Sequence, residues 1–437
     1  MDFIQNYITR NLNKNNRERK MSDKNTAYQC PNCTGPLNYD AASKKLKCDF
    51  CLSLFEVSEI EEMYKEKNEN ALENEKESFT AEEGTFRGYI CSTCGAELVC
   101  ETTTAATICP YCGNPTIIPG RLSGNEHPDY CIPFAKDKKN AVEALKKFYK
   151  HKLLLPRAFA AGNQLEKIQG VYVPFWFYSG TAEGSGYYHA EKKRTYVSND
   201  ERVTTTKHYD VKRSGSLYFE KIPADASSKM PDDLMDSIEP FNYKELKEFK
   251  LEYLPGYAAN KYDVSKDECM VRATTRANAT LKYELKKTVK GYNEVHTTAH
   301  DERFKGEKIE YGLLPVWLLN TKWNDKNFVF AMNGQTGKMV GDLPISIIKS
   351  LIWIIGMCII GGLLGWKFFE DEVMAVISAV AAAGIVYFAL YTQMKNVCKQ
   401  GSAFGYESEE GLKLTEKQDV YTHTTEHREK IEHKESR

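Results

Sequence analysis

Eight cysteines fall into two copies of one spacing. Cys30, Cys33, Cys48 and Cys51 lie in CPNCTGPLNYDAASKKLKCDFC, and Cys91, Cys94, Cys109 and Cys112 lie in CSTCGAELVCETTTAATICPYC, sixty-one residues further on. Each copy reads C-x2-C, fourteen residues, C-x2-C. A C-x2-C pair puts two thiolates on one tight turn, and a second pair at this distance closes a tetrahedral four-thiolate site. Pro31 and Pro110 stiffen two of the turns. Cys33 is followed by Thr34-Gly35, whereas Cys94 and Cys112 are followed directly by Gly95 and Gly113. Glycine there is expected to take left-handed angles and let amide N–H groups point at sulfur. The polar stretch ahead of Cys30 carries no secretory-leader pattern, so thiolates are expected and not disulfides. Iron in a rubredoxin-like centre is chemically possible, and zinc is the better match. With four protein ligands per ion no position is open for water or substrate, so the reading is two structural Zn2+ ions.

The other five cysteines, Cys100, Cys131, Cys269, Cys358 and Cys398, lack ligand spacing and read as small buried hydrophobes. His189 and His208 are placed to face each other across a hairpin. His296 and His300 are four apart, but EVHTTAH reads as strand, where that spacing makes no ligand pair. The sequence contains no Gly-rich phosphate loop, no G-x-S-x-G and no H-E-x-x-H. No catalytic residues are assigned and the chain is expected not to be an enzyme.

The elements that must position the cysteines are α+β in class. At 437 residues the chain has room for two or three domains, and a formal net charge of −1 gives no basic excess of the kind nucleic acid attracts. The first ribbon has Lys44, Lys45 and Lys47, and the second little beyond Arg87. Between Glu56 and Glu83 eleven acids stand against three lysines, a local charge of −8. This segment reads as a solvated helix or flexible spacer that lets the first ribbon reach outward.

From Cys131 to Val340 the chain looks loosely duplicated. CIPFAKDKKNAVEALKKFYKH predicts a short strand and a helix with Ala141, Ala144, Leu145 and Phe148 on one face. YLPGYAANKYDVSKDECMVRATTRANATLKYEL predicts a second helix. GVYVPFWFYSG and YGLLPVWLLN follow as strands, and their Pro174-Phe175-Trp176 and Pro315-Val316-Trp317 steps suggest matched edge strands of two related halves. Trp176, Tyr178, Trp317 and Trp323 read as sheet core. A long hairpin is expected to turn at Ser198 to Glu201, and tight turns at Asn324–Lys326 and Asn333–Gly337.

Toward the C-terminus, two uncharged runs, one containing LIWIIGMCIIGGLLGW and the other VMAVISAVAAAGIVYFALYTQM, are each long enough to cross roughly 30 Å of hydrocarbon. Gly361 and Gly365 in the first, and Ala375, Ala379 and Ala383 in the second, allow close helix approach. Lys338 and Lys349 before the pair and Lys395 and Lys399 after it outweigh the acidic loop at Glu370, Asp371 and Glu372. Positive-inside counting therefore puts both termini in the cytoplasm, which also keeps the thiols reduced. The tail, TEKQDVYTHTTEHREKIEHKESR, mixes charges without an apolar stripe. It is expected to be unstructured or peripheral, with His423 and His427 as solvated bystanders.

The expected organisation is a disordered extension (1–27, with Met21 as an alternative start), zinc ribbon 1 (28–55), an acidic linker or helix (56–84), zinc ribbon 2 (85–119), a first α+β half (130–230), a second half (231–341), transmembrane helices (345–368 and 373–394) and a charged cytoplasmic tail (400–437). Twin ribbons, YVPFW, YLPGYAANKYDV, LLPVW and two terminal membrane helices together resemble bacterial membrane-anchored double zinc-ribbon proteins. The resemblance runs from about Tyr28 to Lys399. Members carry the label TFIIB-type zinc ribbon or, mistakenly, primosomal replication-restart helicase; this chain has no helicase motif and no Walker lysine. Genes of some relatives lie beside those of stomatin-like (SPFH) scaffolds and phage-shock-type, ESCRT-III-like proteins. The resemblance therefore implies a multi-pass membrane platform that recruits such protein partners, and self-association is compatible with it. A membrane-tethered nucleic-acid binder is the alternative, and the missing basic surface counts against it.

Overall fold

The computed structural model describes residues 28–65, 86–90, 97–101, 103–109, 115–117, 127–162, 167–199, 201–369 and 371–430. The whole expected extension (1–27), much of the acidic segment, and Cys91, Cys94 and Cys112 lie outside those residues.

The first ribbon is a three-stranded antiparallel sheet, β1 (Leu37–Asp40), β2 (Lys45–Cys48) and β3 (Leu54–Phe55). Strands β4 (Phe86–Ile90) and β5 (Glu97–Glu101) form a separate antiparallel pair. Then come β6 (Thr104–Ile108), β7 (Pro115–Ile117) and β8 (Tyr130–Cys131). Helices α1 (Lys138–Tyr149) and α2 (Arg157–Gly162) lead into two very long strands, β9 (Gln169–Ser198) and β10 (Glu201–Asp225). After α3 (Asp232–Ser237), β11 (Lys247–Glu248) and β12 (Ala258–Asn260), helix α4 (Lys266–Lys287) precedes β13 (Glu294–Trp323), β14 (Lys326–Asn333) and β15 (Met339–Gly341). Two apolar helices, α5 (Ile347–Phe369) and α6 (Glu372–Thr392), are followed by a last strand, β16 (Lys413–Lys430).

Strands from both expected halves merge into one eleven-stranded sheet, with β9 and β13 antiparallel at its centre. Their prolines are not on edge strands. Pro174 sits opposite Leu313 and Pro315 opposite Tyr172. Each proline stands in the gap where one short neighbour ends and the next begins. β12 pairs at Val171 and Tyr172 and β10 from Phe175 onward, while β8 pairs at Gly312 and Leu313 and β14 from Val316. A residue's N–H and C=O point to the same side of a strand. The Pro174 carbonyl accepts from the Ala226 N–H (2.9 Å) and that of Pro315 from Gly334 (2.8 Å), so the missing donors face those gaps. A central proline is tolerated because no ladder bond is lost.

The turns follow the sequence. Asn324 and Asp325 both have left-handed φ, 46° and 58°, as a two-residue hairpin turn requires. Helix α4 starts with a capping box, Ser265 with Glu268, and buries Cys269, Ala273, Ala277, Leu281 and Leu285 along one face. It lies across β9, β10 and β13. The core beneath is aromatic: Phe134 stacks on Tyr257 (4.0 Å) and meets Tyr172 (5.0 Å) and Trp317 (5.3 Å) edge-on. Trp176, Tyr178 and Trp317 are buried as expected, and Trp323 packs against the same core.

Beyond this core, β13, β9, β10 and β16 continue side by side as an antiparallel four-stranded blade. At about 3.3 Å per residue a thirty-residue strand such as β9 runs about 100 Å. The tail, expected to be unstructured or peripheral, is an ordered strand at the edge of the sheet. Residues Lys413 to Lys430 pair with β10 from Ser216 to Glu201, although every side chain of the strand is exposed. Backbone pairing with an open edge holds it, with no apolar stripe needed.

Helices α5 and α6 are both long and apolar enough to cross a membrane, with mean hydropathy 2.2 and 2.4 and little burial. They pack as a hairpin through small residues. A Cβ on Gly361 would lie 2.8 Å from that of Ala382, and one on Gly365 would lie 2.9 Å from the Ala375 Cα. Ser378 Oγ closes the contact by donating to the Gly361 carbonyl (2.9 Å). Both ends of the hairpin are tied to the body. Leu343 N–H donates to the Met394 carbonyl, Lys152 Nζ to that of Gln393 (2.5 Å), Lys349 Nζ to that of Leu155 (2.6 Å), and Lys395 pairs with Asp342 (2.8 Å).

Candidate metal centre

Cys30, Cys33, Cys48 and Cys51 converge, and all four sulfurs lie within 4.8 Å of one another. Cys30 is 3.5 Å from Cys51, and Cys33 is 3.4 Å from Cys48. Four thiolates at about 2.3 Å from a tetrahedral Zn2+ stand about 3.8 Å apart, so the set fits one ion with no open position.

Two matching turns deliver the sulfurs. The Thr34 N–H donates to the Cys30 carbonyl (2.8 Å) and the Leu52 N–H to that of Cys48 (3.0 Å). The residue after each second cysteine is left-handed, Thr34 at φ 60° and Leu52 at φ 61°. The expectation that glycine supplies this conformation fails in the first ribbon. Gly35 is needed for space instead, because a Cβ there would meet Phe50 Cδ2 at 2.4 Å and Cys48 Sγ at 3.3 Å. In the second motif the sequence positions that match Thr34 and Leu52 hold Gly95 and Gly113.

The thiols are unequal. The hydrogen bond between Cys51 and the Ser53 hydroxyl (3.2 Å), helped by the Ser53 backbone, brings Cys51 down to about 6. Cys33 is drawn down by the Gly35 backbone, yet the sulfurs of Cys48 and Cys51 outweigh that pull and push it up to about 12. Burial raises Cys30. Four thiols this close cannot all ionise unless a cation neutralises them, which is what a bound divalent metal supplies.

The ribbon does not reach outward on a spacer. Tyr39 N–H donates to the Pro255 carbonyl (3.0 Å), and the Tyr28 hydroxyl donates to the buried Glu252 (3.0 Å). Tyr39 meets Tyr253 edge-on at 5.6 Å, and residues 57–65 form a helix whose Ile60 is fully buried. The start of the acidic segment is therefore packed structure. Lys45 also pairs with Glu56 (2.5 Å), which neutralises part of the ribbon's basic cluster.

Of the second set only Cys109 is among the described residues, and it is fully buried just after β6. The strands nevertheless repeat at the motif spacing. Leu46 pairs with Phe55 in the first ribbon, and Thr107 pairs with Thr116, each sixty-one residues further on. β6 also pairs with β12, which makes this module continuous with the main sheet.

Cys131 and Cys269 are buried as read, and burial pushes each up to about 12, which leaves inert thiols. Cys358 is only partly buried and Cys398 is exposed, against expectation, because both sit in or after the apolar helices and outside the core. The side chain of Cys100 lies outside the described residues. His189 and His208 do face each other, 3.1 Å apart. His423 is no bystander: its ring stacks on His208 at 4.4 Å. His427 is exposed beside Glu429.

These features define an α+β protein with a four-cysteine cluster docked on its body and a pair of apolar helices near its C-terminal end. The uncharacterized protein YdjG of Bacillus subtilis (strain 168) is 36% identical over 331 residues, which span 76% of this chain and 94% of YdjG. The chain belongs to the YdjG family. No family model matches it. No solved structure matches it either.

Proposed function

We propose that the protein is a non-enzymatic, membrane-anchored adaptor that presents its zinc ribbons to a protein partner at the cytoplasmic face. In this reading each ribbon holds one structural Zn2+, α5 and α6 cross the bilayer, and the partner is a stomatin-like (SPFH) or phage-shock-type scaffold, as the family resemblance implies. The observation that carries it is the free face of the first ribbon. Its inner face is docked on the body, while Phe50, Leu52 and Leu54 are 75%, 65% and 49% exposed around the second cysteine turn. An apolar cluster of this kind, presented on a metal-fixed turn, suits protein contact better than phosphate contact.

The test is capture from detergent-solubilised membranes with the unchanged chain and with a Phe50→Asp, Leu52→Asn variant. Asparagine tolerates the left-handed angle at position 52, so the turn is kept. The variant is expected to retain metal and membrane association and to lose a stomatin-like or phage-shock-type partner. Capture of that partner undiminished would overturn the ribbon assignment. Binding of duplex or single strands at physiological salt, weakening steeply as salt rises, would replace it with the nucleic-acid reading.

A further inference from the structure

We propose that the four-stranded blade carries a second kind of metal site, free of cysteine, in which His189 Nε2, His208 Nδ1 and Glu191 Oε1 bind one divalent transition-metal ion and leave a coordination position open. The inference does not rest on the adaptor reading. His189 and Glu191 are two apart on β9 and therefore share a face, and His208 lies directly opposite Glu191 on β10. The three ligand atoms are separated by 3.1, 3.5 and 3.9 Å. Imidazole nitrogen and carboxylate oxygen at about 2.0–2.1 Å from a tetrahedral ion stand about 3.4 Å apart, so three vertices are already in place. Two imidazoles and one carboxylate suit Zn2+, Co2+ or Ni2+ and not Ca2+ or Mg2+.

The outer contacts orient the ligands. His189 Nδ1 lies 3.5 Å from Asp210, and His208 Nε2 lies 2.9 Å from the Thr425 hydroxyl. Protons on those outer nitrogens leave the inner lone pairs free for metal, the arrangement that carboxylate and hydroxyl partners impose on metal-bound histidine. Lys193 takes the other oxygen of Glu191 (3.2 Å), so Oε1 is left to coordinate. Thr425 and the stacked His423 come from the C-terminal strand, which ties the site to pairing of the tail. The set supplies three donors on half-buried side chains, unlike the four-donor thiolate set.

The experiment adds Co2+ to the full chain in detergent, its cysteine sites loaded with zinc. The unchanged chain is expected to give a visible d–d band that saturates at one equivalent per chain and lacks thiolate-to-cobalt charge transfer. His189→Ala with His208→Ala should abolish the band. Glu191→Gln, which keeps the side-chain shape, should weaken binding by more than about tenfold, as removal of even an outer partner typically does. His296→Ala, opposite His189 on β13, should bind as the unchanged chain does. Absence of the band in the unchanged chain, its persistence in the double variant, or full affinity in Glu191→Gln would each overturn the proposal.

Discussion

At Thr34 and Leu52 the backbone turns left-handed directly after a cysteine of the cluster, and neither residue is glycine. A side chain in that region costs about 1 kcal/mol or more, offset in part by the freedom glycine would add to the unfolded chain. Thr34→Gly is therefore expected to stabilise the zinc-loaded ribbon by up to about 1 kcal/mol. Thermal unfolding or slower metal loss to a chelator would read the gain, and a destabilised variant would refute this account of the turn. Gly35→Ala should act oppositely and speed metal loss, because its Cβ has no room beside Phe50 and Cys48. The ligand set itself was legible because C-x2-C is local: two turns and a spacing determine it. Which residue turns left was not legible, since that depends on how Phe50 folds back over Gly35, a contact fifteen residues long in sequence.

At the scale of elements, α4 and β16 show two different ways in which sequence pattern underdetermines structure. Helix α4 carries Arg276 within its buried face, between Ala273 and Thr280, where it grips Glu239 through two bonds (3.0 and 2.6 Å). Tyr406, beyond the apolar hairpin, donates to the same carboxylate (2.7 Å). Distant segments thus satisfy a charge that the helical spacing places inside, and the spacing alone does not name the partners. Ending the chain at Gly411 is expected to free the β10 edge and cause self-association, visible by sedimentation. Ending it at Gly401 removes Tyr406 as well and should lower stability further, by about 1–3 kcal/mol for the lost bond to a buried group. Equal stability of the two truncations would argue against the Tyr406 clasp. One turn of α4 earlier, Arg272 binds Asp225 (2.7 Å) and Asp236 (2.7 Å). Burial still pushes Asp225 up to about 6, against the pull of Arg272, and its Oδ2 has no hydrogen-bond partner among the described residues. The folded state therefore holds a proton that the unfolded state releases near its ordinary value. The resulting stabilisation is full below about pH 4 and is lost as pH rises through about 6. Asp225→Asn should flatten the melting temperature between those limits, and an unaltered slope would mean that another group is responsible.

For the whole molecule, the decisive geometry is that both ends of the apolar hairpin return to one body. Ser346 and Lys349 on the way in, and Cys398 and Gln400 on the way out, bond to the same α+β framework, and Leu343 bonds to Met394 between the two arms. Hydropathy made the two spans legible, and the flanking lysines suggested their direction. The sequence did not reveal that Lys152, from the loop after α1, joins Lys349 and Lys395 at the hairpin's base. That third lysine adds to the charge asymmetry against Asp371 and Glu372 at the far turn. Because the ribbon, the blade and the tail are all fixed to the body, they must lie on one side of any bilayer that α5 and α6 cross. A reporter fused after Arg437 is expected to be active in the cytoplasm, and one inserted at the turn around residues 370–372 outside it. An inverted insertion would carry Cys30, Cys33, Cys48 and Cys51 into an oxidising space together with the tail. Thiols within 4.8 Å of one another would then form disulfides and exclude metal. Reporter position and thiol state are thus two readings of a single orientation. A cytoplasmic tail paired with oxidised ribbon cysteines would mean that ribbon and tail are not held on one body.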